Sequence, residues 1–585
     1  MTDPISAPGD GQTFLGPQHR AQAWQRLGSD QFDVVVVGGG VVGAGAALDA
    51  ATRGLKVALV EARDFASGTS SRSSKMFHGG LRYLEQLEFG LVREALHERE
   101  LSLTTLAPHL VKPLPFLFPL TNRWWERPYV AAGIFLYDQL GGAKSVPPQK
   151  HLTKSGALRL APGLKRSSLI GGIRYYDTVV DDARHTMTVA RTAAHYGAVV
   201  RTSTQVVALL REGDRVTGVR VRDSENGTTT EVRGHVVVNA TGVWTDEIQA
   251  LSKQRGRFRV RASKGVHIVV PRDRIVSEVA IILRTEKSVL FVIPWGTHWI
   301  IGTTDTDWNL DLAHPAATKA DIDYILGHVN KVLATPLTHD DIDGVYAGLR
   351  PLLAGESEET SKLSREHAVA TPAPGLVAIA GGKYTTYRVM GADAIDAASE
   401  FVPTRVAPSI TAKVPLLGAD GYFALINQTE HVGRNYGLHP YRVRHLLDRY
   451  GSLIGEVLDM AHKNAAVRPD LLEPITEAPV YLKVEAWYAA AAEGALHLED
   501  ILARRMRISI EYPHRGVDCA REVAEVVAPV LGWSAEDIDR EVATYVARVE
   551  AEVQSQQQPD DESADTLRQA APEARAEILE PVPLS

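Results

Sequence analysis

The chain is 585 residues long, with 44% apolar and 23% charged residues, too much for one hydrophobic core and roughly three or four domains' worth of sequence. A formal net charge of −8 argues against a general nucleic-acid binder, so any anion site must be local. Cys519 is the only cysteine, which excludes an intrachain disulfide and suits a reducing cytosol.

In chain order, residues 1–30 read as a polar extension with helical character over 17–27. They lack the basic and apolar order of a secretory leader, and no apolar run in the chain reaches the length of a membrane span. The expectation is a protein that is soluble or lies on a membrane surface. Residues 31–62, QFDVVVVGGGVVGAGAALDAATRGLKVALVEA, then read as strand, glycine turn, helix and strand. Gly38, Gly40 and Gly43 fit G-x-G-x-x-G: the first permits the tight turn, the second lets backbone approach a pyrophosphate, and the third lets helix and strand pack closely. The helix start favours negative charge. Glu61 stands where an acid would accept hydrogen bonds from a ribose, and argues against a 2′-phosphate. The motif alone does not separate NAD from FAD.

Residues 63–85 are dense in Ser, Gly and basic residues and read as a ligand-lining loop, and 91–106 as an amphipathic helix. The apolar run 108–120 is broken by Pro113, Pro115 and Pro119, so it is not one helix. Aromatic residues (Trp124, Trp125, Tyr129, Phe135, Tyr137) follow, interleaved with Arg123 and Arg127, as in the core of a lid domain or at a membrane interface. Residues 175–209 read as loop, helix and strand, and 235–244 as a buried strand ending in an Asn-Ala-Thr-Gly turn. Strands at 266–271, 289–295 and 299–305 have no helices between them and imply an antiparallel sheet distinct from the parallel one. Residues 376–400 repeat the strand, Gly-Gly turn and helix pattern, a return to the nucleotide domain. Helices dominate from about 409. Beyond 555 the tail carries seven acidic and two basic residues and reads as disordered.

Nine motifs in this order, from VVGGGVVGAGAALDAATRG (36–54) and TSSRSSKMFHGGLRYLE (69–85) through DDAR (181–184), VNATGVW (238–244), KGVHIVVP (264–271), FVIPW (291–295), IGTTD (301–305) and AGLRPL (347–352) to GGKYTTYR (381–388), give the chain a resemblance to the FAD-dependent glycerol-3-phosphate dehydrogenases. The resemblance runs from about residue 33 to 530. It implies an α/β fold: a Rossmann-like FAD-binding domain (31–107, 171–260 and 345–403), an inserted antiparallel-sheet substrate domain (108–170 and 261–344), and an all-α C-terminal cap (409–554). The extension 1–30 and the acidic tail 555–585 stand outside it.

The resemblance further implies oxidation of sn-glycerol 3-phosphate to dihydroxyacetone phosphate, with hydride passing from C2 to FAD N5 and electrons on to a quinone. It also implies peripheral contact with the cytoplasmic membrane face, and a homodimer. A glycerol-3-phosphate oxidase using oxygen, or a related FAD-dependent amine or amino-acid oxidase, is the alternative. Flavin contacts carry over to Gly38, Gly39, Gly40, Gly43, Glu61, Thr69, Ser70, Ser73, Ser74, His78, Gly79, Val206, Ala240, Gly242, Gly382, Lys383 and Thr385. Substrate contacts carry over to Arg82, Tyr83, Lys264, His267, Arg350, Arg365, Lys383 and Thr386. Arg82, Arg350 and Arg365 suit a phosphate, because guanidinium offers a bidentate fork. His267 is the expected general base, with a pKa near neutrality in its unperturbed state, and Lys383 is its rival. The histidines show no metal-ligand spacing, so no metal is expected.

Overall fold

The computed structural model describes residues 13–84, 87–121, 126–141, 145–252, 259–285, 289–354 and 366–575. Of the sequence-derived candidates, Arg365, Arg123, Trp124, Trp125 and the side chain of Arg82 lie outside the described residues.

The Val-rich strand Gln31–Val37 is buried on both faces, with Val34 and Val36 in one core and Phe32, Val35 and Val37 in another. A strand apolar on both sides belongs inside a parallel sheet covered by helices. It pairs in parallel with Thr229–Asn239 on one side and Val57–Val60 on the other; Val199–Arg201 and Leu376–Gly381 extend the sheet in the same sense. Three helices, Val41–Thr52, Asp182–His195 and Tyr387–Ser399, cover one face. Val41–Thr52 and Tyr387–Ser399 approach so closely that a Cβ on Gly391 would stand 2.7 Å from the backbone of Gly45 and Ala46. The extension supplies cover for the other face: helix Pro17–Ser29 buries Ala23 and Leu27 against that side of the sheet.

The second sheet is antiparallel apart from the contact of Ala280–Arg284 with Val111–Leu120. Towards one end of its strand order, Val260–Pro271 pairs with Gly344–Leu353 and His298–Gly302. Two strands expected in the nucleotide domain belong here instead: Gly171–Val180 pairs along its whole length with Val111–Leu120, and Gly344–Leu353 with Val260–Pro271. Alternation within a strand fixes which face is apolar but not which sheet it joins. The proline-broken run is the strand Val111–Leu120. Its prolines share parity, so their missing N–H groups fall along one edge and leave the ladder to Gly171–Val180 intact.

The C-terminal helices have their own core around Leu446, Val457, Trp487, Tyr488, Val523 and Tyr545. The tail expected to be disordered is folded through residue 575. Helix Ala535–Ser555 is followed by Asp561–Ala570, which begins with Asp560 accepting the Ser563 N–H at 2.9 Å and buries Ala564 against Trp308 and Leu349. Its charges, of both signs, are matched by buried partners from distant segments. Lys264 pairs with Asp561, and the tail's own Arg575 pairs with the buried Asp500 at 2.9 Å. Composition counts such charges without showing their partners.

Candidate active site

The ends of the parallel strands open onto a cavity of about 730 Å³, a size that suits a large cofactor. The turn after Gln31–Val37 lines it. Gly38 has φ 108°, a conformation that favours glycine, and a Cβ on Gly43 would collide with the Gly38 carbonyl oxygen. Gly40 caps the helix Val41–Thr52 without a side-chain hydrogen bond, although Ser70 Oγ accepts the Val41 N–H at 2.9 Å. The remaining first-turn N–H groups therefore suit a pyrophosphate. Glu61 accepts the Gly39 N–H at 2.6 Å and the Arg63 N–H at 2.7 Å. Burial raises its carboxyl above the ordinary pKa in spite of these bonds. Residues 204–206 are held beside it by the Thr204 N–H bond to the Glu61 carbonyl, 2.7 Å. Gly381 and Gly382, both with positive φ, turn the chain after Leu376–Gly381 so that Lys383 lines another wall.

Of the expected cofactor residues, Gly38, Gly40, Glu61, Thr69, Ser70 and Ser73 line this cavity. So do Val206, Ala240, Gly242, Gly382 and Lys383. The others stand behind its walls. Gly39 donates to Glu61, and Gly43 packs on Gly38. Ser74 bonds to His267, Gly79 donates to the Tyr137 hydroxyl at 2.7 Å, and Thr385 ties its turn to the backbone of His78. Sequence reasoning missed Arg63, Gln205, Trp244 and His314, and it also missed the tail residues Gln569, Glu573 and Arg575, which complete the cavity wall. His314 Nε2 stands 2.6 Å from Glu573, and Arg575 donates to Ser203 Oγ at 2.7 Å. No local pattern marks a tail residue as part of a cofactor wall.

The candidate substrate side is built on Val260–Pro271 and Gly344–Leu353. His267 is opposite Tyr346, and Ser263 opposite Arg350, so all four share one face by the period of two. The His267 ring is buried and stacks on Tyr346 with centroids 4.8 Å apart; its Nε2 is 2.9 Å from Ser74 Oγ. Burial, reinforced by the charges of Arg350 and Lys75, holds its pKa well below the ordinary value, so the imidazole is neutral. Arg350 donates to Thr303 Oγ1 at 2.9 Å and to the Thr304 carbonyl at 3.2 Å. Lys383 Nζ lies 3.7 Å from the centroid of the Tyr83 ring. Thr386 is buried and donates to the Lys383 carbonyl, which makes it a support of that turn rather than a surface for ligand.

Lys264 departs from expectation. It is three positions from His267, hence on the opposite face of the strand. There its Nζ is buried, 2.7 Å from Asp321 and paired also with Asp561. It fastens the tail helix to the second sheet and does not face the His267 side.

A glycine-cradled helix start, a buried acid beside it, and a neutral histidine on an adjoining sheet describe a flavin-type oxidoreductase, and the residues present fit an FAD. A family model described as FAD dependent oxidoreductase matches residues 33–388, and one described as the C-terminal domain of alpha-glycerophosphate oxidase matches 409–538. The chain is 86% identical over its full length to a glycerol-3-phosphate dehydrogenase 2 of Mycobacterium tuberculosis, covering all of that protein. It is 36% identical to the mitochondrial glycerol-3-phosphate dehydrogenase of Homo sapiens, with 88% of this chain and 73% of the other covered. A solved structure of the glycerol-3-phosphate dehydrogenase from Bacillus halodurans complexed with FAD superimposes with a TM-score of 0.77 at 28% identity, over 92% of this chain and 98% of that one. The class is therefore the FAD-dependent oxidoreductases. Within it, the chain belongs to the glycerol-3-phosphate dehydrogenase family.

Proposed function

We propose that this chain oxidises sn-glycerol 3-phosphate at C2 to dihydroxyacetone phosphate and passes the electrons to a quinone. The observation that carries the reading is the shared sheet face: a neutral histidine and an oriented guanidinium stand on one face of the second sheet. FAD in the cavity would supply the acceptor for the hydride leaving C2. Arg350, with Arg82 and Arg365, holds the phosphate by charge-assisted hydrogen bonds, and Lys383 and Tyr83 flank the reacting end. His267 takes the hydroxyl proton. With Nε2–H donated to Ser74, the Nδ1 lone pair is the base, and Nδ1 has no hydrogen-bond partner among the described residues. The alcohol thus loses a hydride from carbon and a proton from oxygen, which leaves the ketone.

Electron transfer to a quinone implies docking at the cytoplasmic membrane face. Exposed Leu87, Phe89, Tyr129 and Phe135 support it, carried by or beside the neighbouring helices Phe89–Leu101 and Glu126–Gly141. Among the described residues no helix is long and apolar enough to cross a membrane. A homodimer is part of the proposal and is checked by light scattering. The function is tested by reducing the enzyme anaerobically with substrate and adding a short-chain quinone. Stoichiometric reoxidation is expected. Reoxidation by oxygen alone, with one hydrogen peroxide formed per substrate, would replace the dehydrogenase reading with the oxidase one.

A further inference from the structure

A second cavity, of about 100 Å³, lies between the loop around Arg72, the strand Gly344–Leu353 and the C-terminal helices. Tyr346 lines it while stacking on His267, and His314 and Arg548 line both it and the cofactor cavity. The second cavity is therefore separate from the His267 face but shares walls with the active site.

Six arginines line it, Arg72, Arg504, Arg507, Arg515, Arg548 and Arg568, and three buried donors on the lining have no hydrogen-bond partner among the described residues: Arg548 Nη2, Arg568 Nε and the amide Nε2 of Gln556. The three residues are 8%, 8% and 7% exposed, so bulk water does not serve these groups. The orientation of the Gln556 amide is fixed, because its Oε1 accepts from Arg515 at 3.1 Å. Among the described residues, the Arg72 side chain makes one hydrogen bond, to the Ala313 carbonyl, and has no carboxylate within ion-pairing distance. Two carboxylates line the cavity, and both are engaged: Glu499 by Arg504 at 3.0 Å, and Glu552 by Arg515 and Arg568. Arg504 and Arg507 are saturated by Asp64, Asp500, Asp181 and Asp182. Arg548 itself stands 3.5 Å from Glu573. Among the described residues, the buried side-chain atoms of the lining that lack a hydrogen-bond partner are all donors. Burial brings the Arg72 pKa down to about 10, with Glu499 opposing the shift and the Arg568 and Arg504 charges adding to it.

We infer that this cavity binds one tetrahedral oxyanion of the inorganic phosphate class, held by Arg72, Arg548, Arg568 and Gln556. The space is that of a few water molecules, enough for one such ion and too small for a nucleotide or a lipid headgroup with its glycerol. Neutral water could satisfy the donors but would not balance the charge of Arg72, which alone on the lining has no carboxylate within ion-pairing distance among the described residues. Because the ion touches helices Ala535–Ser555 and Asp561–Ala570 as well as the residue just before Ser73 and Ser74, its occupancy fastens the tail to the cofactor loop.

The test uses the full-length holoenzyme. Thermal unfolding is followed against inorganic phosphate, with sodium chloride at matched ionic strength as the control, for the wild type, Arg568→Gln, Gln556→Leu and Arg350→Ala. Binding to the folded state alone predicts a saturable rise in Tm with phosphate and little with chloride. The half-saturating phosphate concentration is expected to rise at least tenfold in Arg568→Gln and Gln556→Leu and to stay unchanged in Arg350→Ala. Equal responses to the two salts, an undiminished response in both cavity variants, or loss of the response in Arg350→Ala would overturn the proposal, the last by assigning the ion to the substrate site. Gln556→Leu introduces no charge change and keeps the test valid if Arg568→Gln does not fold. Crystals grown with selenate give a direct reading: an anomalous peak among Arg72, Arg548 and Arg568 supports the site, and water density alone there rejects it.

Discussion

Replacing Lys264 with Met separates a structural fastening from a phosphate ligand. Lys264 is 1% exposed, and its ammonium is 2.7 Å from Asp321, with Asp561 as second partner. Breaking a buried pair by removing one member costs about 3–5 kcal/mol, because the other charge is left buried. Here Asp321 keeps two bonds from the cap of helix Lys319–Val329, the Thr318 N–H at 3.0 Å and the Thr318 hydroxyl at 2.9 Å. Asp561 is partly exposed and contributes less. The loss is therefore placed near the lower bound, about 3 kcal/mol. Denaturant unfolding of the holoenzyme reads the loss, and steady-state kinetics read KM for glycerol 3-phosphate. The expected result is reduced stability with KM within twofold of wild type, and partial recovery of stability when Asp321→Asn is added. Unchanged stability with a KM raised tenfold or more would refute the reasoning and return Lys264 to the substrate site.

Converting His267 to Asn is expected to slow flavin reduction in a single-turnover assay by about a hundredfold to ten-thousandfold, the range of a lost general base; an unaltered rate transfers the role to Lys383. Arg350→Ala removes a charged fork whose hydrogen bonds to a phosphate are each worth about 1.5–3 kcal/mol, so kcat/KM should fall at least tenfold; an unchanged value takes Arg350 out of the clamp. The folded-state pKa values of His109 and His185 (about 3), His314 (about 4) and His267 (well below its ordinary value) are all lowered, chiefly by burial. Below about pH 6.5 the unfolded chain takes up protons that these folded sites refuse, so their contribution to stability is lost as pH falls from about 6.5 toward 4. His497 works in the opposite sense: its pKa is raised to about 9 by bonds to Glu225 and Glu541 against burial, and its contribution fades as pH rises from about 6.5 through 9. Unfolding free energies measured across pH 4–9 check both slopes, and a flat acid side would contradict the first. Arg575→Ala releases the tail from Asp500 and Ser203, and FAD should dissociate faster on dilution, as read by flavin fluorescence; an unchanged off-rate would leave the tail without a part in cofactor retention.

Much of this was legible in the sequence because it is local. The turn at Gly38, Gly40 and Gly43 is defined by backbone conformation and close packing within a few residues, and the helical C-terminal region is marked by apolar periodicity. What escaped depends on partners distant in the chain. The face of Lys264 was available from its odd spacing to His267, but nearness within one motif suggested a common role. The acidic tail looked disordered because its partners Lys264, His314 and Arg548 lie far upstream or on another helix. The strand Gly171–Val180 carries no signal for which sheet it joins, and Gln569 and Arg575 reach the cofactor wall only through the tertiary fold.

The central claim is that a flavin in the first cavity and the His267–Arg350 face together oxidise a phosphorylated secondary alcohol. Anaerobic titration of the purified holoenzyme with glycerol 3-phosphate tests it most directly. One equivalent of substrate should bleach the flavin absorbance, while glycerol and free amino acids leave it unchanged. Bleaching by an amino acid, or a flavin spectrum indifferent to glycerol 3-phosphate, would contradict the account.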